Sequence, residues 1–468
     1  MKYKIKYSLF IMMALTVFAS CKKDLDLQPV DTFSDANAFL SLDDVQQGLN
    51  GAYARYGAYA NDMYVNALAS DESKLGTDNA GQGAFTYHWQ YTSDGGTSGT
   101  DVVNAWGGYY GLIDQVNRVL PFAISVSAKA GEEQRRDKIK GQLLALRAIG
   151  HFGLLQGYCN NYNPSDPLGV PLMLKSDPLG KPARNSMGQV MTSIINDLDS
   201  AKRLLPAVDA SSFSDTVLNP INIAAFQARI ALYRKDYDAA ITYSSEVINS
   251  GIKPLVSGSD FYDIWTDDND YETLFRIKYL TSGAIGSLWT TTGGQVYVAP
   301  SDKLTASYDV ADVRLDSYIG TTSSGSRCVN KFFGSSRGGR VVDMKASRIA
   351  EMYLIRAEAY AKRSAPDLAA GAADLNALRA SRITGYTDET FATATALADA
   401  VLQERFKELP FEGFRFFDLK RNNLPVERLA SDASPAWMTL AASDHLFVLP
   451  IPRDETNVNS NIVQNPGY

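Results

Sequence analysis

Histidine and cysteine are scarce in this chain of 468 residues, three of each. His88, His151 and His445 lie far apart, and neither C-x-x-C nor H-E-x-x-H occurs, so the ligand spacings of a zinc site are missing. No metal and no other cofactor is expected. A cationic excess is missing too. The formal charge of −7 becomes −10 once a leader carrying Lys2, Lys4 and Lys6 is removed, and such a chain repels nucleic acid. Tryptophan is sparse at five residues beside 25 Tyr and 20 Phe. Most of those rings are expected in the core, although a tyrosine-rich surface also suits sugar or peptide ligands. With 45% hydrophobic and 21% charged residues, the chain can bury one large core or two ordinary ones.

The apolar run at 7–19 is shorter than the roughly 20 residues that a membrane-spanning helix needs. It follows lysines and precedes Phe18-Ala19-Ser20-Cys21, the layout of a lipoprotein signal peptide over residues 1–20. Cys21 is then the lipidated N-terminus, and Lys22-Lys23-Asp24-Leu25-Asp26 a charged tether behind it. Cys159 and Cys328 remain, widely separated, and sequence alone neither joins them nor keeps them apart.

Beyond the tether, apolar residues at three- and four-residue intervals predict a helix over 36–59. The pattern stops over 71–101, where six glycines surround Tyr87, His88, Trp89 and Tyr91. A loop of that length in a compact chain is commonly functional or disordered, and its aromatic knot argues against disorder. A helix from Trp106 is expected to stop at Pro121, and a long one covers 132–158. His151 on that helix reads as a satisfied interior residue. Prolines over 164–182 make an extended crossing, and Ser186 with Gln189 forms a capping box for a helix reaching Leu205. Small residues at helical spacing over 221–250 and again over 347–380 predict antiparallel helical hairpins of the tetratricopeptide kind. Between them, short apolar runs at 273–277 and 295–298 predict strands among Gly, Ser and Thr. Trp289 and Tyr297 are glycine-flanked and candidates for display, whereas Trp265, Phe332 and Phe333 read as packing. The fold class is mostly α: a scaffold of tetratricopeptide-like hairpins with irregular loops and a few short strands. Regions 21–255 and 256–468 are expected to pack as one globular unit.

Residues 401–421, VLQERFKELPFEGFRFFDLKR, mix charge and aromatic area most densely. Glu404 and Glu408 sit one turn apart, where an acid and a base of a hydrolase would be sought. A glycosidase, however, needs carboxylates about 5–10 Å apart across a cleft. The stronger reading is a semi-buried ion-pair lattice anchored by phenylalanines.

That stretch, together with RIAEMYLIRAEAYAKR (348–363), DLNALRASR (374–382) and FVLPIPRDETNVNSNIVQNPGY (447–468), resembles the RagB/SusD family of outer-membrane nutrient-binding lipoproteins. The resemblance implies a SusD-like fold and a protein that is not an enzyme. It implies capture of oligosaccharide or polysaccharide, starch-like or another glycan, or of peptide as in RagB. It also implies delivery to a SusC-like TonB-dependent transporter. Anchoring through the N-terminal lipid follows, and outward-facing placement rests on the likeness of the tether to surface-export signals. Trp89, with Tyr87 or Tyr91, occupies the place before the Trp106 helix where a sugar-stacking residue is expected, and Trp289 and Tyr297 fall in the second variable region. Each of these rings serves equally well as packing. A scaffold that grips a partner protein without any small ligand is a third reading.

Overall fold

Side-chain caps set where several helices begin. Ser41 accepts the Asp44 N–H at 3.3 Å while the Asp44 carboxylate accepts the Ser41 N–H at 2.9 Å, and this reciprocal pair starts α1 (Leu42–Arg55). The computed structural model describes residues 38–468 except 97, 98, 161, 282 and 283. The signal peptide at 1–20, the lipidated Cys21 and the tether at 22–26 lie outside the described residues. The sequence predicts one helix over 36–59. Instead the chain passes from α1 through a tight turn, Tyr56–Ala58, into α2 (Tyr59–Ala69). Ten of the eleven α2 residues are buried, so it carries no apolar stripe for periodicity to detect.

Next come α3 (Thr100–Ser125), α4 (Glu133–Tyr158) and α5 (Met187–Leu204), packed in sequence order. Helix α3 continues through Pro121, where a stop is expected. Pro121 removes one backbone hydrogen bond and leaves only four residues of helix beyond it to be bent, and Phe122 is held by the Phe39 ring at 4.8 Å. The expected box of Ser186 and Gln189 opens α5. His151 on α4 is an interior residue. Its Nδ1–H donates to the Arg147 carbonyl and its Nε2 accepts the Met173 N–H, so burial keeps it neutral with a pKa pushed down to about 3.

Two hairpins follow. Helices α6 (Pro220–Tyr233) and α7 (Tyr237–Asn249) turn at Lys235, whose φ is +61°. After α8 (Gly258–Trp265) come α9 (Ile349–Lys362), α10 (Leu368–Arg382), α11 (Ala394–Glu408) and α12 (Arg415–Arg421). Helix α9 is the hub, packing on α7, α10 and α11. Buried alanines, among them Ala224, Ala225, Ala228, Ala350 and Ala357, let these axes approach closely.

The strands are short: β1 (Ser73–Leu75), β2 (Thr273–Ile277), β3 (Val298–Pro300), β4 (Ile319–Thr321), β5 (Arg327–Val329), β6 (Gly334–Ser335), β7 (Gly338–Gly339), β8 (Met344–Arg348), β9 (Val426–Glu427) and β10 (Thr439–Leu440). All pair antiparallel, β1 with β3, β2 with β8, β4 with β5, β6 with β7 and β9 with β10. One hydrophobic cluster runs from Leu42 to Ile462 and joins both halves of the chain. Phe332 belongs to it, whereas Phe333, expected to pack as well, is 36% exposed. Cys159 and Cys328 are both buried and free.

Candidate functional site

The glutamates of 401–421 are closed off from solvent. Glu404 reaches Arg314 and Arg379, both at 2.6 Å. Glu408 meets Arg348 at 2.9 Å, Arg382 at 3.0 Å and Arg314 at 3.1 Å, while Glu412 meets Lys331 at 2.6 Å and Arg348 at 2.7 Å. None of these cations belongs to the stretch itself; they arrive from β8, α10 and the 256–345 region. Burial pushes the Glu408 carboxyl up, but Arg382, Arg348 and Arg314 outweigh burial and hold it well below the usual carboxylate range. Arg415 forks onto Asp71 at 2.7 and 2.9 Å, and Arg405 and Arg421 share Asp418. Glu404 and Glu408 are thus ties between elements, with no cleft between them for a substrate.

The two variable loops converge. Ser73 lies opposite Pro300 and Leu75 opposite Val298 in the β1–β3 pair. Beyond it, the Tyr297 carbonyl accepts Gly76 N–H at 2.8 Å and Asn79 Nδ2–H at 2.8 Å, and Asp78 accepts the Val296 N–H. A third segment, the β9–β10 hairpin, joins them through Arg428. Its guanidinium is sandwiched by the rings of Tyr87 at 3.9 Å and Trp89 at 4.1 Å. It also donates to the carbonyls of Leu68, Ser70, Tyr87 and Trp437. Burial without a bonded carboxylate pushes the Arg428 pKa down to about 10.

This clamp corrects the expectation that the rings around Trp89 are displayed. Tyr87, Trp89 and Tyr91 are all at least nine-tenths buried, and each directs its polar tip to a carbonyl: Tyr87 to Asp432, Trp89 to Ala69 and Tyr91 to Leu446. Trp89 takes a φ of +52°, a backbone that turns its indole inward. Trp289 is buried as well, with its ring 5.4 Å from Phe411, 5.9 Å from Tyr64 and 6.2 Å from Phe332. Of the five expected rings, Tyr297 alone is partly exposed. What the converged loops present instead is Phe85, 37% exposed, and His88, three residues along the same helical turn, Ala84–Tyr87 and its cap. The His88 ring lies 4.9 Å from that of Trp437, tilted by 31°. Burial and the Arg428 charge lower the His88 pKa, so its ring is neutral at pH 7. The carboxamides of Gln82 and Gln90 are exposed at the edges. Trp437 and Arg428 sit some 340 to 350 residues from Tyr87 and His88 of the loop they complete, beyond the reach of any local pattern.

A cleft of about 540 Å³ lies elsewhere, between α3, the proline-rich crossing and the C-terminal segment. Its walls include Ile113, Met173, Leu179, Val458 and Ile462, with Trp106 almost entirely covered.

Known proteins resemble this arrangement over nearly its whole length. Residues 311–468 match the SusD family, and residues 22–232 match a family described as starch-binding in association with the outer membrane. The SusD-like protein P2 of Formosa agariphila is 24% identical, the alignment covering all of both chains. A SusD superfamily protein of Bacteroides thetaiotaomicron covers 91% of this chain and 100% of its own, with a TM-score of 0.78 at 23% identity. A SusD-like carbohydrate binding protein of Bacteroides vulgatus covers 91% of this chain and 98% of its own, with a TM-score of 0.75 at 21% identity. Two family matches in chain order, on a helical scaffold of the same shape, lead to one conclusion: this chain belongs to the RagB/SusD family.

Proposed function

We propose that the chain binds oligosaccharide or polysaccharide on the face made by the converged loops and delivers it to a SusC-like TonB-dependent transporter. The observation that carries this reading is the His88–Trp437 ring pair, at 4.9 Å, beside the exposed Phe85 of the same helical turn. A pyranose offers a flat face of C–H groups that stacks on such rings, while carboxamides such as Gln82 and Gln90 orient its hydroxyls. The family description of residues 22–232 supports both the ligand class and a place at the outer membrane. Lipid anchoring through Cys21, facing outward, completes the proposal. The role is capture without bond cleavage, and it asks for no cofactor.

Titration calorimetry of the soluble chain beginning after Cys21, with maltoheptaose, laminariheptaose and xyloheptaose, tests the reading. The variant His88→Ala with Trp437→Ala is expected to lose at least about tenfold in affinity with its melting temperature unchanged. Unchanged affinity removes the site, and a wild type that binds no oligosaccharide removes the glycan. Co-purification with a barrel protein from detergent-solubilised outer membrane tests the transporter.

A second reading, peptide capture of the RagB type, draws on the 540 Å³ cleft. Its walls combine aliphatic side chains and three prolines with Trp106, Tyr110 and charged groups such as Asp114, Lys175 and Asp177, and Leu179 and Val458 stand 92% and 65% exposed at its lips. Such a cleft offers an extended peptide apolar contacts for its side chains and charged partners beside them. Binding of a hexapeptide library that is lost on Leu179→Asp, with sugar binding absent, would favour it.

A further inference from the structure

A separate hollow of about 350 Å³ opens between α8 and the β6–β7 hairpin, elements that contribute nothing to the converged-loop face. We propose that it is a second pyranose-binding subsite, with Tyr262 and Phe333 as its stacking rings; the proposal rests on the glycan reading above.

Phe333 is built as a platform. The Arg340 guanidinium lies 3.8 Å from its ring centroid and donates to the Phe333 carbonyl, while Arg340 Nε donates to the Thr290 carbonyl at 2.7 Å. The ring is thereby held still on one side and remains 36% exposed on the hollow it lines. A stacking surface fixed in advance binds without first losing rotamer freedom. Tyr262 on α8 is 41% exposed, and its hydroxyl has no partner among the described residues.

Trp265 forms the floor between these two rings. It lines the hollow and is 98% buried, and its indole N–H, itself shielded from solvent, has no acceptor among the described residues. The remaining polar lining fits a neutral polyol. Asn330 donates Nδ2–H to the Asp316 carbonyl, which leaves its Oδ1 as an acceptor; Asp268 and Ser336 add an acceptor and a hydroxyl. No lysine or arginine lines the hollow, so an anion is not its ligand. A Cβ placed on Gly339 would meet nothing within 4 Å, so the backbone there lies open to a ligand.

Two sites on one chain predict avidity for polymers that neither site has alone. The test uses the soluble chain from residue 22, with maltoheptaose, laminariheptaose and xyloheptaose in calorimetry and soluble starch, laminarin and xylan in affinity electrophoresis. Gly339→Phe fills the hollow from an unstrained surface position, and Tyr262→Ala with Phe333→Ala removes its rings; neither touches the core. Both variants are expected to bind one heptasaccharide where the wild type binds two, and to lose about tenfold in polymer retention, with melting temperature unchanged. If both keep wild-type stoichiometry and retention while His88→Ala with Trp437→Ala loses binding, the hollow is not a sugar site and the glycan reading stands. If binding is lost in the hollow variants and kept in the loop-face variant, the hollow is the principal site. If the wild type binds none of the sugars, the glycan reading fails and the subsite with it.

Discussion

Arg428 shows why single residues of the loop face resisted reading. Glycines around Trp89 suggest display, but the indole is one jaw of a cation clamp whose guanidinium comes from 339 positions later. Trp89→Ala is therefore expected to lower stability by about 3–5 kcal/mol in chemical denaturation, the cost of emptying a large aromatic site. Trp437→Ala, at the half-exposed rim, should move the unfolding midpoint little. Glu72 makes a second prediction. It is fully buried, its Oε1 accepts the Phe411 N–H, and its Oε2 has no partner among the described residues. Burial is the main cause that pushes its carboxyl up to about 8. Between pH 4.5 and 8 the folded chain holds a proton that the unfolded chain has released, so this residue lowers stability progressively as pH rises through that window. Glu72→Gln should melt with the wild type at pH 4.5 and a few degrees above it at pH 8.5.

At the scale of elements, helical hairpins were legible because small residues repeat at helical spacing, and α6, α7, α9 and α10 lie where that spacing puts them. Helix α2 was not, since burial on all sides erases periodicity. Its surroundings explain the tight fit of α3 against α4. A Cβ on Gly153 would overlap the Tyr109 ring, whose hydroxyl bonds Asp62 of α2. Gly153→Ala is expected to cost about 1–3 kcal/mol, read as a lower unfolding midpoint. Helix α12 is pinned to the end of α2 by Arg415 on Asp71, with Lys303 on the same carboxylate at 2.7 Å. Arg415→Ala leaves that carboxylate with one cation and should cost on the order of 3 kcal/mol, or lower the secreted yield, while sugar affinity of the folded protein stays near normal. A large affinity loss in a stable Arg415→Ala protein would return the stretch to the functional site.

Across the whole molecule, the carboxylates behave as one acid-sensitive frame. Glu404, Glu408 and Glu412 are buried, which raises their pKa values, yet their cations outweigh burial and hold all three below the usual range; in the same way Arg415 and Lys303 hold Asp71 at about 2. A depressed folded pKa contributes stability that is complete above pH 4.5 and is lost as pH falls through the folded values. Acid unfolding followed by circular dichroism should therefore set in below pH 4 and be steep toward pH 2. In Glu408→Gln the onset should move to higher pH, because three arginines then share one fewer carboxylate.

Local sequence was enough for the helical class, the hairpins, the capped starts of helices and the motifs of the family, because each depends on residues within one or two turns of one another. It also marked the loop at 71–101 and the glycine-flanked segment around Trp289 and Tyr297 as special, through glycine and aromatic content. Which rings those loops bury, and which they leave exposed, was settled only by tertiary contacts. Arg428 draws Tyr87 and Trp89 inward, the β1–β3 pair joins two loops more than 200 residues apart, and Trp437 arrives from a hairpin that local patterning had passed over. The residues at 401–421 followed the same rule: their charge density was plain in the chain, but their partners were long-range, and those partners made them a frame rather than a catalytic centre.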